Sequence, residues 1–182
     1  MPLNDYRGEH PPHPNPYSAT DILTLLSENH WLTTDPTPEQ IAWAERAARL
    51  LGHYAEDRAA LGNLLRPVFH YDAAEILQSP GAQAGISRFA AREVIRHLAL
   101  LVLEPAPFTS ERFKEVATYL KETCGVRSRD LFHPIRLALT GRIGEGELDR
   151  VILLLDEASL LPFTTPVKSV RTRILEFCSA LD

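Results

Sequence analysis

Cysteine is nearly absent from this chain of 182 residues. Cys124 and Cys178 stand far apart, with no CxxC pair and no local Cys/His cluster. That excludes a disulfide framework and predicts reduced thiols and no metal site. Glycine is sparse as well, with nine residues and no run suited to cradling phosphate. GxGxxG, GxxxxGK[ST], HExxH and GxSxG are all missing, so no cofactor is expected. The longest apolar runs, such as residues 98–103, fall far short of the ~20 residues of a bilayer span. No basic-then-apolar leader opens the chain, which predicts a cytoplasmic protein without a membrane partner. Lysine is scarce too: three of the 19 basic residues are Lys and 16 are Arg. A net charge of −5 argues against a general nucleic-acid coat protein.

What is present is helical patterning. Residues 1–18 hold five of the 14 prolines and predict a flexible, extended arm, in which His10 and His13 are solvated. Beyond it, Ile22, Leu25 and Leu26 keep helical spacing over 21–29, with Thr20 as cap. Thr37, Pro38 and Gln40 form a capping box ahead of a helix whose apolar face is Ile41, Ala44, Ala48 and Leu51. A helix over 55–65 is expected to end at Pro67, and Asp72 to cap a short one reaching Gln78. Residues 82–103 read as one long helix, stopped by Pro105 and Pro107. Thr109 or Ser110 then caps a helix ending at Gly125. Asp130 caps another over 131–140, with Pro134 in its first turn and Gly141 after it. Helices over 147–160 and 167–180 complete the chain. The expected fold is all-α, about eight helices in two small subdomains, 19–104 and 105–182, meeting near 105–109.

Two basic features stand out. Arg88, Arg92 and Arg96 recur every fourth residue and would share one face of the long helix, a candidate phosphate site or an internally paired face. Residues 127–173 carry eight basic side chains, including Arg127, Arg142 and Arg173, against six acidic ones. His133, just before Pro134, reads as a histidine bonded to backbone or water rather than as a catalytic group.

The run Gly125-Val126-Arg127-Ser128-Arg129-Asp130-Leu131-Phe132-His133-Pro134-Ile135-Arg136-Leu137-Ala138-Leu139-Thr140-Gly141 resembles the signature of the C-terminal, anticodon-binding region of bacterial glutamyl-tRNA synthetases. Phe69-His70-Tyr71-Asp72 with Ile76-Leu77, and the stretch from Phe108 to Val116, resemble flanking parts of that region. The resemblance covers about residues 60–160. It implies a helical cage in which Arg136 contacts an anticodon base while Thr140, Gly141 and Leu148 wall the pocket. Arg88, Arg92, Arg96, Arg127 and Arg142 would meet phosphates. Neither HIGH nor KMSKS occurs, so no aminoacylation is implied. Where the family has a GPEL-like turn, this chain reads Gly144-Glu145-Gly146-Glu147-Leu148, losing the proline and gaining an acid. The implied function is tRNA binding without catalysis, possible partners being tRNA and a separate catalytic protein. The alternative is a helical protein-interaction module that has lost RNA binding.

Overall fold

A computed structural model describes residues 15–182, and among them ten α-helices and one 3-10 turn, with no strand. The all-α expectation is met. The chain folds into two compact units, each assembled from separate stretches. One, here the signature unit, joins Tyr71–Glu145 to Val170–Asp182; the other, the tryptophan unit, joins 15–70 to Gly146–Ser169. The chain thus passes between units at 70/71, 145/146 and 169/170. Residues 105–109, the expected boundary, connect two helices inside the signature unit.

The tryptophan unit comprises α1 (Ala19–Glu28), α2 (Pro38–Leu51), α3 (Arg58–Phe69) and α9 (Gly146–Ser159). Ser18, not Thr20, opens α1, because the Asp21 carboxylate accepts hydrogen bonds from the Ser18 amide and hydroxyl. The Thr37–Gln40 box forms as expected, with reciprocal bonds of 2.9 and 3.1 Å. The buried face of α2 is rotated from the expected one. Gln40, Trp43, Ala44, Ala47, Ala48 and Leu51 turn inward, and Ile41 is exposed. Trp43 sets that rotation: its ring meets Phe69 and Phe163 edge-on, and its indole N–H donates to the Leu154 carbonyl at 3.1 Å. Trp31 stacks on Phe69 with centroids 4.7 Å apart, completing a four-ring core. α3 does not end before Pro67 but runs through it to Phe69, losing one backbone donor. Within the arm predicted for 1–18, residues 1–14 lie outside the described residues. Asn15 is anchored, its amide donating to the Ala48 carbonyl at 2.8 Å.

The signature unit comprises α4 (Ala73–Gln78), α5 (Pro80–Ile86), α6 (Ala91–Leu101), α7 (Ser110–Cys124), α8 (Arg129–Thr140) and α10 (Val170–Leu181). The long helix expected over 82–103 is two, α5 and α6, broken where Ala90 takes φ 60°. A non-glycine residue in the left-handed region cannot continue a right-handed helix. α7 follows the prediction: Thr109 accepts from the Arg112 amide at 3.2 Å, and Phe113, Val116, Ala117 and Leu120 are buried. α8 starts at Arg129, after Ser128 at φ 53°, so Pro134 sits inside the helix rather than in its first turn. From Leu131 to Thr140 every residue of α8 except His133 is buried, with α6, α7 and α10 packed around it.

Candidate nucleic-acid interface

The last carbonyls of a helix have no intrahelical donor, and their partial negative charge attracts cations. α8 meets both needs with two buried side chains. Tyr71 points its hydroxyl at the Ala138 carbonyl and lies 3.0 Å from that of Arg173. The Arg173 guanidinium, on α10, is fully buried, donates to the Leu139 carbonyl at 3.0 Å and sits 4.8 Å over the Tyr71 ring. Burial pushes the Tyr71 phenol well above its ordinary value, with Arg173 pulling partly back. The neutral phenol is therefore the folded form. An unfolded chain titrates it near pH ~10, so its stabilising contribution is whole below that pH and fades as pH rises beyond it. The unfolding free energy from urea titrations should fall more steeply above pH ~10 in the wild type than in Tyr71→Phe, at up to ~1.4 kcal/mol per pH unit. Parallel falls would show that Tyr71 is not the linked group.

Beyond this end the chain turns sharply. Gly141 takes φ 75°, and a β-carbon there would lie 2.8 Å from Ile76 Cγ1. The Thr140 hydroxyl donates to the Arg136 carbonyl at 2.7 Å and accepts from the Arg142 amide at 3.2 Å. One turn back, Arg136 is 1% exposed. Its guanidinium donates to the Gly144 carbonyl at 2.8 Å, lies 3.7 Å from the Glu145 carboxylate and rests on the Phe132 ring. Arg136, Thr140 and Gly141 thus come together, tying the turn 141–145 to α8. Leu148 belongs to the tryptophan unit, on α9, where it is buried. His133 Nε2 is buried without a hydrogen-bond partner, and burial, then Arg136, holds its pKa below the ordinary value.

The arginine triplet does not share one helix. Arg88 lies in the break before α6, 3.6 Å from Asp130, and Arg96 lies 3.4 Å from Asp182. Exposed Arg92 borders an open groove of about 290 Å³ with Leu77, Gln83, Ile86, Ser87, Ala180 and Leu181. Phe89, between Arg88 and Arg92, is 81% exposed. Arg127 is exposed and Arg142 half-buried. The sequence pattern placed Arg173 only among the eight basic residues of 127–173 and gave Phe89 no role. The single cue to Arg173 was that its helix otherwise offered buried-type residues at Val170, Ile174 and Phe177. No helix of the described residues is long and apolar enough to cross a membrane.

A helical unit built around an Arg-x-x-x-Thr-Gly helix end is the class defined so far. The chain is a relative of glutamate–tRNA ligases. It is 32% identical to the glutamate–tRNA ligase of Desulforudis audaxviator (strain MP104C) over 145 residues, 77% of this chain and 28% of that enzyme. Over 78 residues it is 35% identical to glutamate–tRNA ligase 2 of Syntrophus aciditrophicus (strain SB), 42% of this chain and 16% of that enzyme. The glutamate–tRNA ligase of Exiguobacterium sibiricum (strain DSM 17290 / CCUG 55495 / CIP 109462 / JCM 13490 / 255-15) is 24% identical over 139 residues, 76% of this chain and 28% of the enzyme. The chain therefore spans between about a sixth and somewhat over a quarter of these relatives. No protein-family model and no solved structure matches it.

Proposed function

We propose that this chain binds tRNA in the cytoplasm through its signature unit, at the anticodon, and does not itself charge it. The observation that carries this reading is kinship, over three quarters of the chain, with enzymes named for acting on tRNA. The end of α8 supports it. Unpaired bases are read by arginine planes and backbone groups, and the turn 141–145 offers both. Arg136 is held by Gly144 and near Glu145, so contact with a base requires that turn to open locally. Glu145, half exposed, opposes an approaching phosphate. Exposed Arg92 and Arg127 are suited to phosphates, and the Phe89 ring to stacking on a base. Neither HIGH nor KMSKS occurs in this sequence, which favours binding without glutamate activation.

Titration of fluorescent tRNA into the full chain at ~50 mM salt tests this, because phosphate contacts are strongest at low salt. Micromolar, saturable binding is expected. Arg136→Ala should cost about 1–3 kcal/mol and flatten discrimination among anticodons, as loss of a base contact does. Arg92→Ala should weaken all tRNAs alike and lower the salt slope by about 0.9. Glu145→Gln should tighten binding. Absence of saturable binding at tens of micromolar, or equal losses from Arg136→Ala and Arg92→Ala without anticodon preference, would overturn the reading.

A further inference from the structure

Glu93 and His97 stand four residues apart on α6 and therefore share a face. The Glu93 carboxylate lies 3.8 Å from His97 Nε2. α7 packs against α6 and brings Cys124, its last residue, to the same place. One ligand atom of each residue, oxygen, nitrogen and sulfur, lies within 4.8 Å of the other two. Tyr119, also on α7, sets its ring 6.5 Å from the His97 ring and flanks the cluster. No sequence spacing announces this cluster, because Cys124 stands 27 positions beyond His97.

We propose that Glu93, His97 and Cys124 form a zinc site that clamps α6 to α7. Carboxylate, imidazole and thiolate are the three ligand types zinc takes in proteins, at ~2.0–2.3 Å. Tetrahedral coordination at those lengths sets ligand atoms about 3.3–3.6 Å apart. The cluster must therefore contract by about an ångström. Glu93, on an exposed side chain, and His97, partly exposed, have room to make that movement by rotation. On binding, the Cys124 thiol gives its proton to solvent and its sulfur coordinates as thiolate, and His97 coordinates through an unprotonated ring nitrogen. Thiolate and carboxylate then balance the two charges of the ion, and water fills the fourth position on the exposed side.

The test is direct titration of the metal-stripped full chain with zinc against a chromophoric chelator, and with cobalt as a spectroscopic stand-in. The expected results are one ion per chain, a higher Tm with zinc, and a near-ultraviolet thiolate-to-cobalt band. Cys124→Ser and His97→Gln should each abolish that band or weaken zinc by about 100-fold or more, beyond the range for losing an outer support. Glu93→Gln should weaken zinc less, and Cys178→Ser should leave binding and band unchanged. Far-ultraviolet circular dichroism of each metal-free variant checks that its helices persist. Failure to take up zinc at equimolar concentration, binding without the cobalt band, or binding undiminished in folded Cys124→Ser would overturn the proposal.

Discussion

Arg173→Met is expected to destabilise the signature unit by about 2–3 kcal/mol, and Arg173→Ala by about 3–4 kcal/mol. Arg173 is fully buried, yet its donor reaches the Leu139 carbonyl and its charge sits at the negative end of α8. Exchanging a buried ion pair for apolar groups is often neutral because both partners disappear together. Here the carbonyl remains. Methionine keeps the stem volume but leaves a buried acceptor short of a donor that carried charge, the costlier kind of loss. Alanine adds a cavity beneath the Tyr71 ring, which Arg173 covers at 4.8 Å. Arg173→Lys should recover part of the loss, since it restores charge without the planar fork. Urea unfolding followed by circular dichroism measures all three. An Arg173→Met protein as stable as wild type would show that the guanidinium head contributes nothing net.

The cost of that side chain was invisible in the sequence, and the reason is general to this chain. Features set by neighbours a few residues away were legible. Thr37 with Gln40, Thr109, Asp72, Gly125 and Gly141 all act where the sequence suggested, because capping and left-handed turns are local events. Features set by partners far along the chain were not. Ile41 and Trp43 are both apolar and two positions apart, so only Phe69, Phe163 and the Leu154 carbonyl decide which one turns inward. The break at residues 87–90 contains no proline or glycine, and helical periodicity runs on across it. Pro67 and Pro134 read as stops or first-turn residues, yet tertiary packing carries both inside helices. In the candidate site, the motif identified Arg136, Thr140 and Gly141 together. Nothing in it revealed that Arg136 is buried against Gly144, a fact of packing rather than pattern.

Gly141→Ala is the second large effect expected, about 3 kcal/mol, and it separates two causes that act at one residue. The first is conformational. At φ 75° a β-carbon crowds the following carbonyl, at about 1–2 kcal/mol. The second is contact. That β-carbon would lie 2.8 Å from Ile76 Cγ1 and 3.0 Å from its Cδ1, so α4 must shift or the isoleucine must leave its rotamer, at about 1–3 kcal/mol. Gly125→Ala isolates the first cause: φ there is 64°, and nothing lies within 4 Å of the added carbon. It should cost about 1–2 kcal/mol. Ile76→Ala in the Gly141→Ala background isolates the second by removing the atoms that clash. The double variant should be less destabilised than the sum of the singles, with a coupling of about 1 kcal/mol or more, as expected for residues in contact. If the proposed tRNA reading holds, Gly141→Ala should also change tRNA affinity beyond its effect on stability, because the turn 141–145 hangs from this residue and carries the Gly144 carbonyl that Arg136 holds. Measuring tRNA affinity well below the unfolding midpoint of each variant distinguishes the two. Additive stabilities would remove the steric cause. Wild-type tRNA affinity in a folded Gly141→Ala protein would separate the turn from the RNA.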